Sequence, residues 1–210
     1  MNKRSVSIVI LMIFFLALPY IYLHSAEESD MQSKKTALLI IDIQDFYFPG
    51  GSLPLVNPEP ASLNAQKILK KFREKNLLVI HVRHNAKLGA GIHANVKPIN
   101  GEKVISKDHA NSFRDTDLLE YLNQHQVKRL VIVGMQTHMC VEAATRAACD
   151  LGFECILVHD ACATRALKFN DKVISAEDVH YSTLSTLSGT YAKVIDTKTF
   201  LLLSFETMFF

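Results

Sequence analysis

From residue 36 onward, short apolar runs alternate with longer amphipathic segments. This alternation is typical of βαβ units that build a parallel sheet. The apolar runs are rich in Val, Ile and Leu, as in strands that are buried on both faces. They predict strands over residues 36–41, 77–82, 129–134, 154–158 and 193–196, and residues 103–105 would add a further short one.

The amphipathic segments predict four helices, over residues 60–75, 117–125, 141–151 and 176–187, and Gly152 stands where the third should end. In the first helix, Leu63, Ile68 and Phe72 fall on one face, which indicates core packing. No internal repeat or low-complexity linker is visible. The pattern therefore predicts an α/β fold, a three-layer α/β/α sandwich with a mostly parallel, Rossmann-like central sheet.

The first residues have the layout of a secretory signal. Lys3 and Arg4 precede an apolar run over residues 8–23. Because about 17 to 25 apolar residues span a bilayer, cleavage and retention as a membrane anchor both stay open. We predict a signal peptide or N-terminal membrane anchor over residues 1–25, a linker over 26–35 and one domain over 36–210. The protein is thus expected to be exported, periplasmic or secreted, with membrane attachment through residues 1–25 if they are not cleaved.

Composition and charge favour a single globular domain. With 210 residues, 49% of them hydrophobic, the chain can build one compact core. The formal net charge is only +2, and no Lys- or Arg-rich run occurs beyond the first residues, so no nucleic acid is expected as a partner. The four cysteines lie between residues 140 and 162 without a Cys-x-x-Cys pair, so they resemble neither a disulfide scaffold nor a zinc site. At least one is expected to be a working thiol.

Three reactive side chains follow strands of the predicted sheet. Asp42 follows the first strand, Lys107 the short segment 103–105, and Cys140 the strand over 129–134. Because ligands bind beyond the carboxyl ends of parallel strands, we expect the acid, the cation and the thiol to meet at one edge. Singly, each residue also fits a helix cap, a surface position or a core position, so the prediction depends on the combination.

This combination suits nucleophilic catalysis by a thiolate. A helix N-terminus and a neighbouring lysine lower the pKa of a cysteine, and Cys140 opens the predicted helix over 141–151. The same helix end offers N–H groups to an oxyanion. Asp42 would accept the thiol proton and later deliver it to the leaving group, while Lys107 holds both charged partners in place.

Linked motifs occur in residues 37–44, 101–107, 130–141, 146–152 and 158–164. Together they resemble the isochorismatase-like cysteine hydrolases, which include nicotinamidases and N-carbamoylsarcosine amidohydrolase, and the resemblance runs from about residue 36 to about residue 196. It implies the fold of that superfamily, a catalytic triad of Asp42, Lys107 and Cys140, and cleavage of a C–N bond in a small amide or related compound through a thioester. True isochorismatases hydrolyse a vinyl ether and do not use a cysteine at this position.

The resemblance also implies an oxyanion hole. The peptide bond between Met135 and Gln136 is expected to be cis, which would aim the N–H of Gln136, with that of Cys140, at the oxyanion. A small-molecule substrate, no cofactor and a homo-oligomer are further implications, since members of the superfamily are commonly dimers or tetramers.

Phe46, Phe113 and His138 are the candidates for substrate binding. The two rings could wall an apolar pocket, and His138 lies two residues before the nucleophile. Each has a plainer alternative, because the rings could pack under a loop and His138 could face solvent. His84 and His93 could likewise line the pocket or lie on the surface of a long loop.

Two other functions stay open. Nicotinamidases of this superfamily bind a metal through an Asp-x-His pair and a further His after the second strand. Here the segment reads His81-Val82-Arg83-His84-Asn85, so no metal site is predicted. A nicotinamidase proper would still keep the triad. A catalytically silent, exported binding protein would have no physical reason to retain the acid, the cation and the thiol together.

Overall fold

Helices cover both faces of a six-stranded parallel sheet in the computed structural model, which describes residues 35–203. The strands are β1 (Thr36–Ile41), β2 (Leu78–His84), β3 (Lys103–Lys107), β4 (Arg129–Met135), β5 (Glu154–Ala163), β6 (Leu167–Phe169), β7 (Lys172–Ile174) and β8 (Lys193–Ile195). The main sheet has the order β3-β2-β1-β4-β5-β8, and every neighbouring pair in it is parallel. The predicted α/β architecture is confirmed.

Two core clusters fill the space between the sheet and the helices. The helices are α1 (Pro58–Glu74), α2 (Leu118–Gln124), α3 (Glu142–Asp150), α4 (Ala176–Leu187) and α5 (Thr197–Leu202). Leu38 and Ile40 of β1 pack with residues of α1 and α5, whereas Leu39 and Ile41 pack with residues of α2, α3 and α4. Because successive strand residues point to opposite faces, β1 contributes alternately to the two clusters, and three layers result.

The structure extends the predicted strands towards their carboxyl ends. β2 ends at His84, β3 at Lys107 and β5 at Ala163. The register between β4 and β5 shifts between the pairs Ile132–Leu157 and Gly134–Cys162. The antiparallel hairpin of β6 and β7 and the helix α5 were not predicted. The predicted strand end Asp196 instead caps α5, since its Oδ1 accepts a hydrogen bond from the N–H of Thr199 at 2.6 Å.

The predicted signal or anchor over residues 1–25 and nearly all of the predicted linker lie outside the described residues. No helix between residues 35 and 203 is long and apolar enough to cross a membrane.

Replacing Gly134 by alanine is expected to lower the free energy of unfolding by about 2 to 4 kcal/mol. Gly134 has a φ of 143°, and a Cβ there would lie 2.0 Å from the carbonyl oxygen of Ile41. The clash would push β4 away from β1 just below the site. Gly152→Ala is the matched control, because Gly152 also has a positive φ but a Cβ there meets nothing within 4 Å. Urea unfolding measures both variants, and equal losses would contradict the close approach at Gly134.

Candidate active site

The three reactive side chains predicted from the sequence meet at the carboxyl edge of the sheet. Asp42 directly follows β1, Lys107 is the last residue of β3, and Cys140 lies in a π-helical turn (Thr137–Val141) between β4 and α3. In the sheet, β2 separates β3 from β1. The lysine side chain therefore extends past the end of β2, and its length is what allows it to reach the other two groups.

The Lys107 ammonium bridges the other two groups. Its Nζ donates a hydrogen bond to Asp42 Oδ2 at 2.7 Å and another to Cys140 Sγ at 3.3 Å. The side chains of Asp42 and Lys107 have no exposed surface, and Cys140 is only 6% exposed. A buried ion pair is stable only when its charges are paired and hydrogen-bonded, which this geometry provides. The cluster of one carboxylate, one ammonium and one thiol carries no net charge.

The environment of Cys140 differs from the one expected from the sequence. Burial, followed by the negative charge of Asp42, raises the pKa of the Cys140 thiol to about 12, and the opposing effect of Lys107 is smaller. The predicted lowering of this pKa is therefore wrong for the resting protein. It rested on Lys107 and a helix N-terminus and left out desolvation, which penalises the thiolate. In the resting site the sulfur is a thiol.

Asp42 is placed to receive a proton. Burial raises the pKa of its carboxyl group, and the charge and hydrogen bond of Lys107 oppose that rise. A carboxylate with a raised pKa is a better proton acceptor than an exposed one. Its second oxygen, Oδ1, has no hydrogen-bond partner among residues 35–203. Transfer of the thiol proton to Asp42 would leave the cluster neutral, so it avoids the cost of creating a net charge inside the protein.

Gln136 is fixed at both its backbone and its side chain. The Met135–Gln136 peptide bond is cis, as expected. The Gln136 carbonyl accepts hydrogen bonds from the N–H groups of Met139 and Val141 at 3.1 and 3.3 Å. Its side-chain Oε1 accepts a hydrogen bond from Arg165 Nε at 3.2 Å, and its Nε2 donates one to Tyr47 Oη at 3.3 Å. These contacts orient the peptide just before the nucleophile turn.

Two further hydrogen bonds anchor the turn that carries Cys140. Thr137 Oγ1 lies 2.9 Å from His180 Nδ1 on α4, and His138 Nδ1 lies 2.6 Å from the Oγ1 of Thr164, which follows β5. The turn is thus tied to α4 and to the segment that follows β5. The position of Cys140 therefore depends on contacts from other elements at the carboxyl edge of the sheet.

The comparisons with known proteins agree on one family. The model of the isochorismatase domain matches residues 36–199. The chain belongs to the isochorismatase family. It is 45% identical over 177 residues to the uncharacterised isochorismatase family protein YddQ of Bacillus subtilis, which covers 79% of this chain and 98% of that protein.

Two other relatives of this isochorismatase-family protein are informative. An isochorismatase-type hydrolase from Oleispira antarctica has a crystal structure that matches with a TM-score of 0.77 and 45% identity, over 80% of this chain and 96% of that one. Nicotinamidase 3 of Arabidopsis thaliana is 27% identical, over 82% of this chain and 90% of the plant protein. The described domain is therefore an isochorismatase-like hydrolase domain along nearly all of its length.

The three predicted substrate-binding residues occupy different environments in this family member. Phe46 is 7% exposed and packs against the ring of Tyr47, with centroids 4.2 Å apart, next to the strand end that carries Asp42. His138 is partly exposed in the nucleophile turn, and burial followed by the charge of Arg165 lowers its pKa. Phe113 is partly exposed and stacks on Phe153, which precedes β5, against the core cluster under α2, α3 and α4. Its role in substrate binding stays a prediction.

The two histidines left open by the sequence have separate positions. His84 Nδ1 lies 3.4 Å from Lys107 Nζ, so this ring borders the triad. The His93 ring stacks on Phe48 with centroids 3.6 Å apart, and its Nδ1 accepts the N–H of Asn95. Between residues 35 and 203, no three His, Cys, Asp or Glu side chains lie close enough together to hold a metal ion.

The other cysteines are not part of the triad. All four cysteines are free, with Cys155 and Cys162 buried and Cys149 partly exposed. Burial raises the pKa of Cys155 and of Cys162 to about 12. Among the cysteines of the described chain, Cys140 is the one that is hydrogen-bonded to a lysine, whereas the other three thiols are bonded to backbone carbonyls.

Arg165 and Tyr47, which hold Gln136, were missed from the sequence. Arg165 comes two residues after the observed end of β5, but seven residues after the end of the strand predicted over 154–158, so the rule that singled out residues following strands did not reach it. Tyr47 could not be predicted, because nothing in the sequence indicates which side chain its hydroxyl contacts.

Proposed function

We propose that this isochorismatase-family protein is a cysteine-dependent amidohydrolase that cleaves the C–N bond of a small amide through a thioester on Cys140. The observation that carries the proposal is the buried Lys107 ammonium, which bonds the Asp42 carboxylate and the Cys140 sulfur at once. Nucleophile, base and the group that orients both are within hydrogen-bond reach, as covalent catalysis requires.

The first half of the reaction forms the thioester. As Sγ of Cys140 attacks the amide carbon, its proton passes to Asp42, and Lys107 stays bonded to both groups. The carbonyl oxygen becomes an oxyanion, for which the N–H groups of Gln136 and Cys140 are the proposed donors. When the C–N bond breaks, the protonated Asp42 gives its proton to the leaving nitrogen, and ammonia or an amine departs.

The second half regenerates the enzyme. Asp42, again a carboxylate, accepts a proton from water while the water oxygen attacks the thioester carbon. The C–S bond breaks, the sulfur leaves as a thiolate next to Lys107 and recovers its proton from Asp42. One amide and one water give one carboxylic acid and one amine.

Nicotinamide is a specific candidate within this chemistry. The 27% identity to a plant nicotinamidase, over most of both chains, favours including it among the substrates to be tested. It would undergo the same two steps, with ammonia as the leaving group.

The proposal predicts that Cys140→Ala lowers amide hydrolysis at least about 1,000-fold, because the residual activity lacks the nucleophile. The assay measures ammonia release from a panel of small primary amides, nicotinamide among them, by the full chain. Cys149→Ala is the matched control and should keep full activity. With a slow substrate, mass spectrometry should find an acyl group on Cys140. A folded Cys140→Ala variant that hydrolyses amides as fast as the wild type would show that Cys140 is not the nucleophile. If neither protein releases ammonia from any amide, a silent binding protein is supported instead.

A further inference from the structure

Arg165 presents a positive charge beside the candidate active site. It follows Thr164 just beyond β5 and reaches the nucleophile region through the bond from its Nε to Gln136. Its charge contributes to lowering the pKa of His138 in the nucleophile turn. The guanidinium therefore lies next to both residues that flank the start of that turn, Gln136 and His138.

No acid of the described chain neutralises this guanidinium. Between residues 35 and 203, Arg73, Arg114, Arg129 and Arg146 each pair with a carboxylate, whereas Arg165 pairs with none. Besides Gln136 it contacts only the carbonyl of Ala166, at 3.5 Å through Nη1. Glu142, which directly follows the turn in the chain, is itself held by Arg146 through two hydrogen bonds.

Among the charged side chains at the site, Arg165 is the cation that has no carboxylate partner within the described residues. Lys107 is balanced by Asp42, and Glu142 by Arg146. Arg165 adds a positive charge at the partly buried rim, with Nη2 free of any bond within the described residues. A planar guanidinium has the donor geometry that matches a carboxylate, and such charge-assisted bonds are the strong ones.

We infer that Arg165 binds a carboxylate of the substrate, so that the preferred substrates are amides that also carry a free carboxylate. The inference rests on the proposed amidohydrolase function. Since Arg165 holds the side chain of Gln136, whose N–H is the proposed oxyanion donor, the carboxylate and the scissile carbonyl must be close together. Monoamides of short dicarboxylic acids, such as succinamate, have this spacing.

The alternative is that Arg165 only positions Gln136. The two roles differ in selectivity, because lost positioning slows every amide alike, whereas a lost carboxylate contact affects only the acidic substrate. The matched probes are succinamate and succinamide, which release ammonia from the same carbon skeleton with and without a carboxylate.

The experiment measures kcat/KM for both probes in the wild type and in Arg165→Gln, Arg165→Lys and Arg83→Gln. Wild type is expected to prefer succinamate, and Arg165→Gln to lose about 10- to 100-fold on succinamate relative to succinamide. Arg165→Lys should recover part of that loss. Arg83 is the control, because it also lacks an acidic partner in the described chain and bonds only Ser106. Equal losses on both probes, or a wild-type preference for succinamide, would overturn the inference.

Calorimetry separates this inference from the proposed function. Succinate is titrated into Cys140→Ala and into Cys140→Ala/Arg165→Gln, neither of which needs to turn over. Binding that Arg165→Gln abolishes supports the carboxylate site, even if the wild type hydrolyses none of the amides and the proposed function fails. Binding that is absent or independent of Arg165 overturns the inference, whatever the hydrolysis assay shows.

Discussion

Asp42→Asn is expected to lower turnover by about 100- to 10,000-fold while making Cys140 react faster with an alkylating agent. Turnover falls because the variant has no group to accept the thiol proton and return it to the leaving nitrogen. Reactivity rises because the charge of Asp42 contributes to the raised pKa of Cys140. With that charge removed and Lys107 still beside the sulfur, the thiolate becomes easier to form.

Iodoacetamide labelling across pH 6 to 10, with the modified cysteine located by mass spectrometry, measures the second effect. In the wild type, labelling of Cys140 should increase with pH up to values above the ~8.5 of a free thiol. In Asp42→Asn the rise should begin at lower pH. Asp45→Asn, which removes an exposed acid three residues away, is the control and should leave both quantities unchanged. Slower labelling of Asp42→Asn would mean that Asp42 already holds the proton in the resting site.

Lys107→Met is expected to lower the free energy of unfolding by about 3 to 5 kcal/mol and to abolish hydrolysis. The substitution leaves the Asp42 carboxylate fully buried without its cation. Loss of Lys107 also raises the pKa of Asp42 further, because the lysine opposes the effect of burial. A carboxyl group with a raised pKa in the folded state favours folding at low pH. The deficit should therefore be largest near pH 7 and shrink as the pH falls toward about 4, the pKa of an unfolded aspartate.

Urea unfolding at pH 4.5 and pH 7 tests the predicted loss of stability. The decisive comparison is between Lys107→Met and the double variant Asp42→Asn/Lys107→Met. The double variant removes both charges, so it should be more stable than Lys107→Met at pH 7 and equally inactive. Lys103→Met serves as the control in the same strand, because Lys103 pairs with the half-exposed Asp117 and should contribute less than about 1 kcal/mol. If Lys107→Met were as stable as Lys103→Met, the buried pair of Asp42 and Lys107 would not be needed for the stability of the fold.

The sequence predicted the sheet and the meeting of Asp42, Lys107 and Cys140 because both depend on local signals. Strands buried on both faces are continuous apolar runs, and the residues that follow them can be identified from position alone. The hairpin of β6 and β7 also had such a signal, since Asn170 and Asp171 form a two-residue turn between short segments with apolar residues. It was missed because its strands are very short and bury neither face, so they lack the buried pattern that identifies a strand. Phe169 and Val173 are largely exposed.

The properties that depend on tertiary distances could not be predicted in this way. The raised pKa of Cys140 follows from its burial and from its approach to Asp42, which is 98 positions away in the chain. Phe113 and Phe46 look alike in sequence, yet the ring of Phe46 packs against Tyr47, which contacts Gln136, whereas the ring of Phe113 stacks on Phe153. The side chain of Gln136 is hydrogen-bonded to Arg165 and Tyr47. These three residues come from separate segments of the chain, and the order of the strands decides whether the segments meet.

The hairpin of β6 and β7 has a consequence for protein engineering. It connects the end of β5, where Arg165 lies, to α4, and its two strands pair only with each other. None of its residues contacts Lys107, whose bonds go to Asp42, His84 and Cys140. Residues 167–174 thus form a self-contained hairpin, and its exchange is expected to leave the hydrogen bonds of Lys107 to Asp42 and Cys140 in place.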